Sequence, residues 1–201
     1  MRIGICSANL GGFAVPKDLE YIGVDKGAEM LLAQGITPSF AIGDFDSITD
    51  PEVLKSIKEI RTLPERKDVT DTHAALAWAA EHGYDEIYIF GATGGRLDHF
   101  LAVLALLELY KDIRIIIKDS QNEITLLKEG RHEFEAGGYK YFSLYAPDEA
   151  VISISGAEYN LENYTLKRSD PLCCSNQVKE KCAAVTTSAA LLLVRSNDLS
   201  S

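Results

Sequence analysis

Short apolar runs recur through the first half of the chain, each followed by a polar turn and then by helical spacing. Ile3-Gly4-Ile5-Cys6 and Tyr21-Ile22-Gly23-Val24 read as strands, since β-branched and aromatic residues suit a pleated, half-buried surface. A helix is predicted from Ala28 to Gln34, stopped by Gly35 and Pro38. Phe40-Ala41-Ile42 is the next strand, Asp50-Pro51 opens a helix running to about Lys58, and Ile60-Arg61-Thr62-Leu63 is a short strand. Thr70 or Asp71 can N-cap an Ala-rich helix from Thr72 to His82, closed by Gly83. Glu86–Phe90 and Ile113–Lys118 are strands, separated by an apolar helix from Leu97 to about Tyr110. Strands alternating with helices imply βαβ units and a mainly parallel sheet covered on both faces.

After Lys118 the helical period disappears. Glu123–Lys128, His132–Glu135, Lys140–Tyr145, Val151–Ser155, Cys182–Thr187 and Leu191–Val194 read as strands, punctuated by Gly130, Gly137-Gly138, Pro147-Asp148 and Gly156. The pattern predicts an α/β domain over residues 1–118 and a small all-β domain, an antiparallel β-sandwich or barrel, over 119–201. The boundary falls near Asp119–Asn122, without a flexible linker.

The 201 residues are long enough for such a pair of cores, and 46% apolar with 25% charged residues is ordinary globular composition. A net charge of −10 without a basic stripe argues against nucleic acid. It favours a cationic substrate, and a phosphate ligand that arrives with Mg²⁺. No apolar run approaches the ~20 residues of a membrane span, and no signal-peptide pattern opens the chain. Cys6, Cys173, Cys174 and Cys182 form no C-x-x-C pair, so idle thiols in a reducing cytoplasm are expected.

Candidate chemistry gathers behind four predicted strands. Gly91-Ala92-Thr93-Gly94-Gly95-Arg96-Leu97-Asp98-His99 joins a strand to a helix. Its glycines permit close backbone approach, the helix start offers N–H groups to an anion, and Arg96 adds a two-pronged phosphate donor. The spacing fits neither G-x-G-x-x-G nor the P-loop. Gly43-Asp44-Phe45-Asp46-Ser47 carries two carboxylates two residues apart. In extended backbone they would share one face, with Phe45 turned into apolar packing, a hard-oxygen arrangement suited to Mg²⁺ or Mn²⁺. Asp25-Lys26-Gly27 and Lys67-Asp68-Val69-Thr70-Asp71 complete the set. For each, a plainer reading exists: Asp25 as a turn residue, Asp71 and Asp98 as helix caps, Lys67 as a solvated charge. In a parallel sheet, however, ligands bind beyond the carboxyl ends of the strands, where all four segments fall.

Together with Ser175-Asn176 late in the chain, these segments resemble the thiamine pyrophosphokinase family in order and nearly over the full length. Gly-Gly-Arg-x-Asp and Gly-Asp-x-Asp-Ser are the specific parts. The resemblance implies a Rossmann-like three-layer nucleotide domain, a β domain contributing to thiamine binding and dimerisation, and a cytoplasmic homodimer. It also implies a reaction in which the hydroxyl of thiamine attacks the β-phosphorus of ATP, giving AMP and thiamine diphosphate. Asp44, Asp46 and Asp71 would hold Mg²⁺. Asp25, Gly27, Gly91, Thr93, Gly94, Gly95 and Arg96 would face the phosphates, and Lys67 and Arg96 would steady the transferring oxygens. Either Asp71 or Asp98 would take the hydroxyl proton, and Asp98, Ser175 and Asn176 would lie at the thiamine. One departure concerns the strand Ala189–Val194, wholly aliphatic here where eukaryotic members place a Trp, so any aromatic contact must come from elsewhere, such as Tyr159 or Tyr164. Other readings of the same residues are a pyrophosphokinase acting on a hydroxymethylpterin, a sugar-nucleotide transferase using Asp44-x-Asp46, and a catalytically silent nucleotide-binding regulator.

Overall fold

The computed structural model describes residues 1–64 and 68–198. The chain divides into two compact units, Met1–Ser120 and Gln121–Ser201. The first holds six strands: β1 (Arg2–Cys6), β2 (Glu20–Val24), β3 (Phe40–Gly43), β4 (Glu59–Thr62), β5 (Glu86–Phe90) and β6 (Arg114–Lys118). All pair in parallel, in the order β4-β3-β2-β1-β5-β6. Three helices connect them: α1 (Lys26–Ala33), α2 (Asp71–Glu81) and α3 (Leu97–Leu109).

Strand alternation places α1 and α2 on opposite faces. Gly23 turns toward α1, where a Cβ would lie 2.6 Å from the Ala28 Cα. Ile22 and its register partner Phe40 turn the other way, and Phe40 stacks on Trp78 of α2 at 4.7 Å between ring centroids. The central strands are accordingly buried on both faces: Ile3, Ile5, Ile22, Ile42, Ile87 and Ile89 on the α2 face, and Cys6, Tyr21, Ala41 and Phe90 on the α1 face, are all buried, as a covered parallel sheet requires. Edge strand β4 is exposed along its length.

One predicted helix is shorter and of another kind. Pro51–Ser56 is a 3-10 helix capped by Asp50, whose side chain accepts from Glu52 N at 2.9 Å. It ends before Lys58 because Ile57 is extended and buried against Ala28 and Ala41, which turns the chain directly into β4.

The second unit contains β7 (Asn122–Leu127), β8 (Gly130–Phe134), β9 (Tyr141–Tyr145), β10 (Glu149–Ser155), β11 (Leu161–Lys167), β12 (Ala183–Thr187) and β13 (Leu191–Ser196). Antiparallel strands run in the orders β7-β13-β9 and β11-β10-β12-β8. Leu127, Phe142, Leu144, Leu191 and Leu193 from the first set share one core with Ile152, Ile154, Leu166 and Val185 from the second. Strand β11 escapes the sequence pattern because it is an edge strand in which only Leu166 is buried. Asn163 breaks its period further with φ +48°.

Candidate active site

From β1 the chain steps outward through β2, β3 and β4, then crosses back to place β5 and β6 on the other side of β1. The loops after β1 and β5 leave the sheet at this switch in strand order, and the crevice beside them is the usual ligand position in an open α/β sheet. A cavity of about 570 Å³ lies here. It is bounded by Ser7, Ala8 and Asn9 after β1, Asp25 after β2, Asp44, Asp46 and Ser47 after β3, Thr70–Thr72 at the start of α2, and Gly91, Gly95, Arg96 and His99 after β5.

Asp25, Asp44, Asp46, Asp71, Gly91, Gly95 and Arg96 are thus brought together. Lys67 lies outside the described residues. Gly27, Thr93, Gly94 and Asp98 do not line the cavity, and Ser175 and Asn176 belong to the second unit.

The Asp44-Phe45-Asp46 segment is a turn rather than an extended strand. Phe45 has φ +60°, and its side chain packs against the Ala28/Ala41/Ile57 cluster. Asp46 N donates to Asp44 Oδ1 at 3.3 Å, and Phe45 N donates to Asp25 Oδ1 at 3.4 Å. Asp25 itself has φ +48°, and its carboxylate fills the space beside Gly43, where a Cβ would lie 1.7 Å from Oδ1. Asp25 thereby braces the carboxylate turn from below. Thr70, not Asp71, caps α2, its hydroxyl accepting from His73 N at 3.2 Å; Asp71 is left as the first helical residue at the cavity wall.

These are hard oxygen donors on one wall. Among the described residues no three His, Cys, Asp or Glu side chains lie close enough to hold an ion by themselves. Carboxylate oxygens are the donor type that Mg²⁺ or Mn²⁺ takes alongside waters and substrate phosphates.

The glycine loop is held by two contacts that sequence reading passes over. Gly91 has φ +76° and sits on the Ser7 carbonyl, where a Cβ would approach to 2.5 Å. Thr93 Oγ1 donates to Asp119 Oδ2 at 2.6 Å, so its hydroxyl fixes the loop to the end of β6. Ser7 Oγ also lies 3.3 Å from Thr72 Oγ1, tying the β1 loop to the start of α2. Ser7, Asn9, Thr72 and Asp119 carry no motif, and only strand order reveals that β1 and β6 flank the glycine loop. Gly27 is buried in the first turn of α1, its Cα against the Cys6 carbonyl, so packing and not a ligand demands glycine there.

Arg96 and Asp98 bind each other. Arg96 donates from Nη2 at 2.6 Å and from Nε at 3.1 Å, and both groups are mostly exposed. The guanidinium, with lesser help from the His99 N–H, holds the Asp98 carboxyl down to about 2. A depressed carboxyl stabilises the fold above its unfolded value and loses that contribution as pH falls toward about 2; solvent keeps the effect small. Arg96→Ala is expected to return the Asp98 titration to about 3.9, read from its carboxyl ¹³C shift. Titration still near 2 would assign the depression to the start of α3 instead.

In the second unit, Asn176 is buried and its amide is fully engaged by its own chain. Oδ1 accepts from Tyr159 N at 3.0 Å and Gln177 N at 2.9 Å, and Nδ2 donates to Tyr159 O at 2.7 Å. It holds the backbone of Tyr159, a residue that is 67% exposed. Tyr164 is spent on Asp170, at 2.5 Å. Ser175 stays at the surface with φ +60°, its N–H donating to Ser143 Oγ at 3.0 Å. All four cysteines are free thiols.

Comparison with known proteins gives the same answer by three routes. The family model described as Thiamin pyrophosphokinase, catalytic domain matches residues 17–117, and that described as Thiamin pyrophosphokinase, vitamin B1 binding domain matches residues 128–192. A thiamine pyrophosphokinase of Bacillus subtilis is 37% identical over 189 residues, covering 89% of this chain and 87% of that protein. The crystal structure of thiamine pyrophosphokinase from Bacillus subtilis superposes with a TM-score of 0.90 at 32% identity, covering 99% of this chain and 100% of that one. The thiamin pyrophosphokinase structure from Geobacillus thermodenitrificans gives 0.87 at 33% identity, covering 100% and 99%. Matched by family models over residues 17–117 and 128–192, and 37% identical to a relative over 89% of its length, this protein belongs to the thiamine pyrophosphokinase family.

Proposed function

We propose that the first unit is a Rossmann-like layer that binds ATP at the β1/β5 crevice, and that the diphosphoryl group passes from ATP to the primary hydroxyl of thiamine. The observation that carries this reading is the meeting of Asp44, Asp46, Asp71, Gly91, Gly95 and Arg96 around one cavity at the sheet's carboxyl edge. Asp44, Asp46 and Asp71 are the groups to hold a divalent cation, taken as Mg²⁺, which neutralises phosphate charge when bound. The thiamine oxygen bonds to the β-phosphorus, the bond from that phosphorus to the α,β-bridging oxygen breaks, and AMP leaves. Such transfer relies on alignment and charge more than on covalent chemistry by the protein.

Arg96 reaches the phosphates by exchanging Asp98 for them, a small loss because the pair is exposed. Of the two candidate proton acceptors, Asp71 lines the cavity and Asp98 does not, which favours Asp71. Lys67 keeps its proposed phosphate role. On the second unit, the exposed Tyr159 ring and the Ser175 hydroxyl are the surface offered to thiamine, with Asn176 holding Tyr159 in place. The exposed Leu97, Leu101 and Leu109 of α3 support a homodimer as the working form.

The test is incubation with ATP and Mg²⁺ against thiamine, a hydroxymethylpterin and other primary alcohols. AMP and thiamine diphosphate should appear in equal amounts, with thiamine alone. ADP as the product, or AMP formed only with the pterin, rejects the proposal.

A further inference from the structure

We propose that Asn9 is a phosphate-contacting residue, its side-chain amide donating to a non-bridging phosphate oxygen of the nucleoside triphosphate. The inference rests on the reading that the cavity lined by the β1 and β5 loops takes ATP.

Four observations place Asn9 in that role. It lines the cavity together with Gly95 and Arg96. Its backbone is locked to the glycine loop: Ser7 N donates to Phe90 O at 2.8 Å and Asn9 N to Gly91 O at 3.3 Å, so the two loops run side by side beyond their strands. The Asn9 amide nitrogen then lies over the glycine pair, 3.3 Å from where a Cβ of Gly94 would be and 3.4 Å from that of Gly95. That is the surface a phosphate must approach if the glycines are there to admit one. Finally, the side chain is half-buried, and no hydrogen bond to any described residue satisfies it. No buried polar atom is left unsatisfied among the described residues, so the unpaired Asn9 donors are open to the cavity's solvent, where a ligand oxygen can take them.

The residue type also fits. The same cavity lining carries Asp25, Asp44, Asp46 and Asp71. A lysine at position 9 would be drawn to those carboxylates and compete with a cation, and an aspartate would repel the phosphate. A neutral amide donates without doing either.

Binding of a non-hydrolysable ATP analogue with Mg²⁺, and separately of adenosine, is to be measured by calorimetry on the full-length wild type, Asn9→Ala and Asn9→Asp. Asn9→Ala is expected to raise the Kd of the triphosphate about tenfold, as for loss of one hydrogen bond to a charged group. Asn9→Asp should raise it further. Adenosine affinity and Tm should not move, because the amide supports no part of the fold. An unchanged triphosphate Kd in Asn9→Ala overturns the proposal, and so does a loss shared with adenosine or accompanied by a fall in Tm. If the wild type binds the triphosphate but forms no AMP with thiamine, the proposed acceptor fails while the Asn9 assignment is still decided by these Kd values. If the wild type binds no triphosphate, both fail.

Discussion

Asp46→Asn is expected to lower turnover at least about 100-fold, the scale of losing one preorganised electrostatic partner, and Asp44→Asn to do the same. Each change is isosteric and removes one negative charge from the cavity wall. Stability should move by less than about 1 kcal/mol. Asp46 is exposed, and the Asn introduced at position 44 keeps the oxygen that accepts from Asp46 N. Activity and melting temperature should therefore separate, with Tm within about 4 °C of wild type. The Mg²⁺ concentration for half-maximal rate should rise in both variants, since each leaves one fewer anionic donor. Near-normal turnover at low Mg²⁺ in either variant would remove the carboxylate turn from the site and leave Asp71 as the cation's main partner.

The elements that were legible from sequence are those whose period is written by burial. Strands β1, β2, β5 and β6 are continuous apolar runs because both sheet faces are covered. Strand β11 was not legible because its side chains face mostly solvent. Motif reading found the carboxylate turn and the glycine loop, where the chemistry is concentrated in a few adjacent residues. It gave the turn the wrong backbone: Phe45 reaches its apolar cluster through a positive φ, a conformation that neighbouring residue types do not signal. Asn9 and Asp119 were invisible for a different reason. Their importance comes from β1 and β6 lying either side of β5, and strand order is a property of the folded sheet.

The glycines divide along the same line, which leads to the second large effect. Gly27→Ala is expected to destabilise the first unit by at least about 3 kcal/mol, the upper range for overpacking a close-packed core, and to lower Tm by roughly 10 °C. The added Cβ would stand 1.9 Å from the Cys6 carbonyl oxygen and 2.6 Å from its carbon. Both atoms are backbone at the end of a central strand, so no side chain can swing aside. Alanine's better helix propensity returns about 1 kcal/mol at most, too little to offset moving α1 off β1. Gly95→Ala is the contrasting case. Its Cβ would meet only the Asn9 amide, at 3.4 Å, so the fold should hold within about 1 kcal/mol, while nucleotide affinity falls because the methyl occupies the phosphate approach. Both glycines follow a strand and open a helix, and only the atoms above each Cα tell packing from ligand access. Thermal melts with triphosphate titrations on the two variants make the comparison. A Gly27→Ala protein that melts like wild type but binds the triphosphate poorly would return Gly27 to the phosphate site.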